Sequence, residues 1–327
     1  MKLPYFEITK DIEIQAFRIA EMLDKLPDYD SEKYLKLRKN NRILSIQSSL
    51  AIEANSLTVS QVTDIVNGKK VLGDKKEIQE VKNAIAAYNE IDNFDGYSKD
   101  DLLKAHKIMT KNLIGESGMF RSEQVNVYKG YEIIHEGARP EEIDGLIDVV
   151  FEWMNFSNYH PIIKSCVIHF AIEFIHPFLD GNGRTGRLWQ TVCLSNFNKI
   201  FKWIPVETMI YKNQQAYYQA LYNSEKYNDA TIFIEFMLGI INFTLEEIYE
   251  SKKDKNVGVN VGVNVGVKID DKVLKALTKN NNLTAAVLAK RFNVSIRTVE
   301  RAFSRLKEGG LIKRIGNDKT GHWEVTE

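Results

Sequence analysis

The chain has little of what staples or breaks small folds: 2 cysteines and 6 prolines among 327 residues. Cys166 and Cys193 form no disulfide framework and lack the spacing of a zinc site. No apolar run approaches a membrane span, and the start Met1-Lys2-Leu3-Pro4-Tyr5-Phe6 carries no apolar signal core. Neither feature points to a membrane partner, and the expected compartment is the cytoplasm. Neither sign of charge dominates, with 44 Lys and Arg against 44 Asp and Glu. The balance is uneven along the chain, however. Residues 268–327 hold 13 basic against 7 acidic residues, a net of +6, which leaves the body at −6. A basic tail on an acidic body points to nucleic acid as a partner of the tail. The 44% hydrophobic and 27% charged content is that of an ordinary globular protein, and the length suits about two domains.

Periodicity sorts most of the body into helices. Residues 8–26 place Ile12, Ile19, Met22, Leu23 and Leu26 on one face, and Pro27 stops that helix. A second helix over 31–54 starts near Ser31, an acceptable N-cap. Further helices are predicted over 100–113, 141–155, 162–175, 184–196, 214–222 and 231–251. Between the first two of these, residues 124–128 alternate at strand period and 132–135 follow as the return strand of a hairpin. The expected fold class is an all-α body with a small β-hairpin flap, followed by a C-terminal α+β domain.

The densest chemistry lies in His176-Pro177-Phe178-Leu179-Asp180-Gly181-Asn182-Gly183-Arg184-Thr185-Gly186-Arg187. Gly181, Gly183, Gly186 and Asn182 can turn backbone N–H groups toward phosphate oxygens where a helix begins. Asp180 is a hard oxygen ligand suited to Mg²⁺. Arg184 and Arg187, three apart, present two guanidinium forks on one helical face. His176 is the only group of the run able to accept a proton near neutral pH. Phe178 reads as a buried anchor of the loop.

This run resembles the signature of the Fic family, HxFx(D/E)GNGRxxR, and matches every specified position. The resemblance spans roughly residues 1–250. It implies transfer of a nucleotide monophosphate, most often AMP from ATP, to Ser, Thr or Tyr hydroxyls of target proteins, itself included. By the same resemblance His176 is the base and Asp180 the Mg²⁺ ligand. The N–H groups of Gly181 to Gly186, Thr185 among them, hold phosphate oxygens, Arg184 the β-phosphate and Arg187 the γ-phosphate. Tyr217 and Tyr218 resemble the paired tyrosines of the adenine pocket, and adjacent helix positions allow only one to meet the base. Ser49 to Asn55 is similar to the family's inhibitory helix, (S/T)xxxE(G/N). There Glu53 pairs with Arg187 and takes the place of the γ-phosphate. Ala54 departs from the Gly or Asn that the pattern expects.

Three copies of Asn-Val-Gly-Val fill 256–267 and mark a linker. Beyond it, a helix over 283–292, a turn, a second helix over 296–308 and two short strands near 311–315 and 322–325 resemble a winged helix-turn-helix. Arg297, Arg301 and Arg305 share one face of the second helix and are its DNA-contacting candidates. The expected organisation is thus 1–99 with the inhibitory helix, a catalytic core over 100–251, a linker over 252–267, and the winged domain over 268–327. Oligomeric state is open. Three other readings compete: removal of AMP by the same site, a DNA-binding regulator whose body only senses nucleotide, and a di-iron bundle. The last rests on Glu173-x-x-His176 and Glu132-x-x-His135, and its second copy falls in strand-like sequence.

Overall fold

The computed structural model describes residues 5–27, 29, 31–129 and 132–253, together with 273–274, 276–278, 281, 283–292, 299–300, 302–303, 306–307, 311–315 and 322–325 of the tail. Contacts divide the chain into two units, Met1–Gly262 and Val263–Glu327. The expected linker over 256–267 lies outside the described residues.

The first unit is helical. α1 (Lys10–Lys25) is capped by Thr9, whose side chain accepts from the Ile12 N–H, and ends at Leu26 in extended geometry before Pro27. It buries Ile12 and Ile19 and packs along α11 (Thr231–Lys253). Ser31 opens a short 3₁₀ turn, Glu32–Tyr34, so α2 begins only at Leu35 and runs to Ile52. Glu53 is therefore the C-cap of α2 and stands outside the helix body.

Two helices ahead of the flap fall where no helix was expected. α3 (Val59–Val66) starts in a reciprocal capping box of Thr58 and Gln61. α4 (Lys75–Asn89) is capped by Asp74, which accepts from the Lys76 and Glu77 N–H groups. α5 (Lys99–Met109) then leads to the flap, in which β1 (Asn126–Lys129) pairs antiparallel with β2 (Glu132–Glu136). α6 (Pro140–Phe156), α7 (Pro161–Ile175) and α8 (Asn182–Phe197) follow. A 3₁₀ turn, Lys199–Trp203, precedes α9 (Val206–Lys212), also unexpected, and α10 (Gln214–Lys226).

α7 and α8 are the centre. α7 is apolar nearly all round and buried on every side, as a helix hydrophobic throughout must be. Ile46, Leu50, Val81, Ile147, Ile172 and Trp189 belong to one core cluster, so helices on both sides of the 99/100 boundary share an interior.

In the second unit, α12 (Ala285–Phe292) precedes β3 (Ile312–Ile315) and β4 (His322–Val325), which pair antiparallel with Lys313 opposite Glu324. Val273, Leu277, Leu288, Val299, Phe303 and Trp323 form its small core. Residues 299–300, 302–303 and 306–307 of the expected second helix are helical. Arg297, Arg301 and Arg305 lie outside the described residues.

Candidate active site

The turn between α7 and α8 is made by two residues in left-handed geometry. His176, the C-cap of α7, has φ 53°, and Gly181, the N-cap of α8, has φ 84°. A left-handed residue that is not glycine is costly and persists where its surroundings hold it. Here Arg121 does so: its Nε donates to the His176 carbonyl (2.8 Å), its backbone N–H to that of Pro177 (3.0 Å), and Nη2 to Ala138. From the other side the loop is closed by Asn182, whose Oδ1 accepts from the Phe178 N–H (2.9 Å) and whose Nδ2 donates to the Phe178 carbonyl (2.8 Å).

Phe178 is fully buried and stacks on His106 with ring centroids 3.7 Å apart. His106 Nδ1 accepts from the Gly118 N–H (3.0 Å), which leaves Nε2–H to donate to the Asp180 carbonyl (3.0 Å). Burial, with the charge of Arg184 behind it, pushes the His106 imidazole down to about 4. It is a neutral brace under Asp180. His106 and Arg121 escaped the sequence reading because the loop carbonyls that they hold are 74 and 55 residues away and no motif links them.

The first turn of α8 leaves the N–H groups of Asn182, Gly183 and Arg184 without intrahelical acceptors. This narrows the expected cradle of Gly181 to Gly186. The Gly181 N–H bonds Asp180 Oδ1 (2.6 Å) and the Thr185 N–H closes a helix bond to the Gly181 carbonyl (2.9 Å). Asn182 offers only its backbone, since its side chain is spent on Phe178. Gly186 serves packing: a Cβ there would press on His169.

Asp180 Oδ1 also accepts from Arg184 Nη2 (3.0 Å), and its side chain is 42% exposed. Oδ2 has no partner among the described residues. One open, hard oxygen beside a helix N-terminus suits Mg²⁺, which takes one or two carboxylates and completes its shell with water and phosphate. The described residues hold no cluster of three or more His, Cys, Asp or Glu able to bind a metal by themselves. With Glu132 and His135 on a β-strand, the di-iron arrangement is excluded.

Arg187 is buried, and its partners come from α2. Nε donates to Ser49 Oγ (3.1 Å), and Nη2 donates to the Ser49 carbonyl (3.0 Å) and to Glu53 Oε1 (2.7 Å). Burial works against the guanidinium charge, but Glu53, Tyr217 and Glu173 outweigh it and raise its pKa. Glu53, 38% exposed, lies over the first turn of α8, where a Cβ on Gly183 would collide with its Oε1. A carboxylate thus occupies the position that helix geometry prepares for an anion. Ala54 follows with φ 64°, the conformation that favours Gly or Asn. Asn55 then donates to Glu80 Oε2 (2.8 Å), and Glu80 Oε1 lies 3.5 Å from Arg184 Nη1. Glu80, on a helix absent from the sequence expectation, brings a second carboxylate to the signature arginines.

His176 Nδ1 faces the Glu173 carbonyl at 3.3 Å, so Nε2 is left as the basic nitrogen. Burial lowers its pKa, partly offset by Glu173. Burial would raise Glu173 itself, but contact with His169 and the charges around it carry the carboxyl down to about 2. Tyr217 is fully buried and donates to Glu173 Oε1 (3.0 Å), while Tyr218 is 45% exposed and donates to the Ile52 carbonyl (3.2 Å). His176, Gly183, Arg187, Glu53, Tyr217 and Tyr218 all line one cleft.

The Fic/DOC family model matches residues 96–194, and a winged helix-turn-helix DNA-binding model matches residues 268–313. A crystal structure of a Fic family protein from Desulfovibrio desulfuricans G20 superposes with a TM-score of 0.73 at 33% identity, covering 100% of this chain and 98% of that one. The chain belongs to the Fic family. Fic-1 of Caenorhabditis elegans shares the fold at 20% identity, with a TM-score of 0.58 over 75% of this chain and 74% of that chain. Among curated proteins, the protein adenylyltransferase Fic of Nematostella vectensis is 27% identical over 213 residues, 62% of this chain and 47% of that protein. The protein adenylyltransferase fic-1 of C. elegans is 27% identical over 201 residues, 57% and 37% respectively. The chain spans less than half the length of these curated relatives. Among the described residues no helix is long and apolar enough to cross a membrane.

Proposed function

We propose that this protein transfers AMP from ATP to a hydroxyl side chain, Ser, Thr or Tyr, of a target protein, itself included. The observation that carries this reading is the convergence of His176, Gly183 of the first turn of α8 and Arg187 on one cleft. His176 Nε2 takes the hydroxyl proton as the oxygen attacks the α-phosphorus; the bond to the bridging oxygen breaks and pyrophosphate leaves. The N–H groups of Asn182, Gly183 and Arg184 bind phosphate oxygens, with Arg184 toward the β-phosphate and Arg187 toward the γ-phosphate. Asp180 would hold Mg²⁺, which supplies charge stabilisation on the leaving phosphates. Tyr218, with its exposed ring, receives the adenine, while Tyr217 belongs to the floor.

In this reading Glu53 and Ser49 restrain the enzyme. One guanidinium cannot serve a carboxylate and a γ-phosphate at full strength, so the ion pair at 2.7 Å opposes productive ATP. Incubation with ATP labelled on the α-phosphate tests both parts: Glu53→Gly is expected to label itself faster than wild type, and His176→Ala in that background at least about 10²-fold more slowly. Equal, persistent inactivity of wild type and Glu53→Gly toward every nucleotide triphosphate would refute the transferase assignment. Removal of AMP has one observation in its favour, that Glu53 lines the same cleft as His176 and can orient water there. Loss of label from a preformed AMP-protein on adding wild type, but not Glu53→Gly, marks that direction.

The winged domain is proposed to bind DNA, on its family match and the +6 charge of 268–327. Arg297, Arg301 and Arg305 are the proposed contacts. Affinity of the full chain for duplex DNA should fall steeply with salt; salt-insensitive or absent binding makes it a protein-interaction module.

A further inference from the structure

The flap carries a polar group that the scheme above leaves unused. His135, on β2, places its Nδ1 2.8 Å from Glu225 Oε2 of α10. A carboxylate only accepts, so the proton sits on Nδ1 and Nε2 faces the other way. Nε2 is shielded from solvent and has no hydrogen-bond partner among the described residues. Buried polar atoms are nearly always paired, and one that is not calls for a reason.

The backbone shows that this placement is built. Val127 pairs with His135 and Tyr128 with Ile133, so Ile134 is an extra residue opposite the register shift. Such a bulge re-aims side chains. In a regular strand consecutive residues face opposite sides, yet Ile134 and His135 both line the cleft. The His135 ring lies 5.7 Å from that of His176 and 6.0 Å from that of Phe174. Its Glu225 anchor is on the α10 wall that also carries Tyr218 and Tyr222. His135 therefore bridges the phosphate end of the cleft, at His176, and its aromatic end. The part of a nucleotide lying between phosphate and base is the sugar.

We propose that His135, oriented by Glu225, is the group that recognises the ribose of the bound nucleotide, through a hydrogen bond between Nε2 and a 2′- or 3′-hydroxyl. This rests on the nucleotide-site reading given above. A hydroxyl suits either charge state of the ring, since it donates to neutral Nε2 and accepts from a protonated one; a phosphate oxygen suits only the latter. Nε2 has no partner among the described residues, and His135 lines the cleft in which a nucleotide would lie.

The test is calorimetric binding of ATP, 2′-deoxyATP and 3′-deoxyATP to the full chain carrying Glu53→Gly, and to the same chain with His135→Phe, which keeps a ring against Phe174 and His176. The parent should prefer ATP over at least one deoxy analogue by about fivefold to tenfold, the effect of one neutral hydrogen bond. His135→Phe should abolish that preference by weakening ATP alone. Glu225→Gln, which can still accept from Nδ1–H, should retain the preference, and Glu225→Ala should reduce it. Equal binding of all three nucleotides by the parent overturns the sugar role while leaving the nucleotide site standing. An equal loss for all three in His135→Phe overturns it too and makes His135 a packing residue of the flap. A Glu53→Gly chain that binds no nucleotide overturns the site reading and this inference together.

Discussion

The signature loop and the segment that faces it are built in opposite ways. Within His176–Arg187 the closing bonds are local: Asn182 with Phe178, Asp180 with Gly181 and Arg184, Thr185 with Gly181. Ser49–Asn55 reaches Arg187 across 134 residues of sequence and Arg184 by way of Glu80. The loop is closed by its own residues and braced by Arg121 and His106, whereas the Glu53–Arg187 contact forms only where α2 and α8 pack together. If Glu53 inhibits as proposed, altering that one carboxylate should release the site with the loop's own bonds left in place.

The largest effect should separate the two regions at their chemical centre. In a Glu53→Gly background, His176→Ala should lower transfer by roughly 10²–10⁴-fold, the range of a positioned acid–base group. ATP binding, read calorimetrically, should change little, because the phosphate contacts come from α8. Loss of binding in parallel with transfer would show that His176 shapes the loop more than it handles the proton.

Arg187 belongs to both regions, and next in size is its removal. Arg187→Ala on Glu53→Gly should weaken ATP by about 10–100-fold, the scale of a charge-assisted contact. On wild type it also strands Glu53 and should lower the melting temperature. If the double variant matches Glu53→Gly in ATP affinity, the two groups do not compete for one position.

A pH titration distinguishes the loop's brace from its base. His106 is neutral when folded, with its pKa near 4, and protonates at an ordinary value when unfolded. Between about pH 6.5 and 4 the unfolded chain therefore takes up a proton that the folded chain refuses. Stability falls as pH drops through that window, by up to about 1.4 kcal/mol per unit. His106→Gln, with an amide in place of each ring nitrogen's role, should flatten that slope in denaturant titrations; an unchanged slope assigns the acid sensitivity elsewhere. The lowered pKa of His176 implies that transfer by Glu53→Gly persists below the usual histidine range before its acid limb begins.

The smallest effect concerns Ala54. At φ 64° and exposed, it holds a conformation that costs a Cβ-bearing residue roughly 1–2 kcal/mol, against the roughly 0.5–1 kcal/mol of extra unfolded-state freedom that glycine brings. Ala54→Gly should stabilise the protein by about 0.5–1 kcal/mol in thermal unfolding and present Glu53 at least as firmly. A destabilised Ala54→Gly would mean that the left-handed turn is absent in solution.

These contrasts also mark what could be read in the sequence. The signature loop was legible because its chemistry and its closing bonds fit within twelve residues. The long helices were legible because α1 and α7 carry unbroken apolar patterns. α3 and α4 went unpredicted although Thr58-x-x-Gln61 and Asp74 are recognisable starts, and α3 is only eight residues long. Glu80, His106 and Arg121 were invisible for a different reason: each is an ordinary residue on an ordinary stretch, and only the fold brings it to the loop. Glu53 was legible through family resemblance alone, and the left-handed Ala54 supplies the backbone reason for the Gly or Asn that the family pattern expects there.

The central claim, that a distant carboxylate holds a complete transferase site in check through Arg187, is tested most directly by the initial rate of AMP transfer. Wild type, Glu53→Gly and Glu53→Gly/Arg187→Ala should be compared at one ATP concentration, each with the fold verified by circular dichroism. The account predicts a rise on Glu53→Gly and a fall of the double variant well below it. An unchanged rate in correctly folded Glu53→Gly would contradict it and return Glu53 to the role of a helix-capping carboxylate.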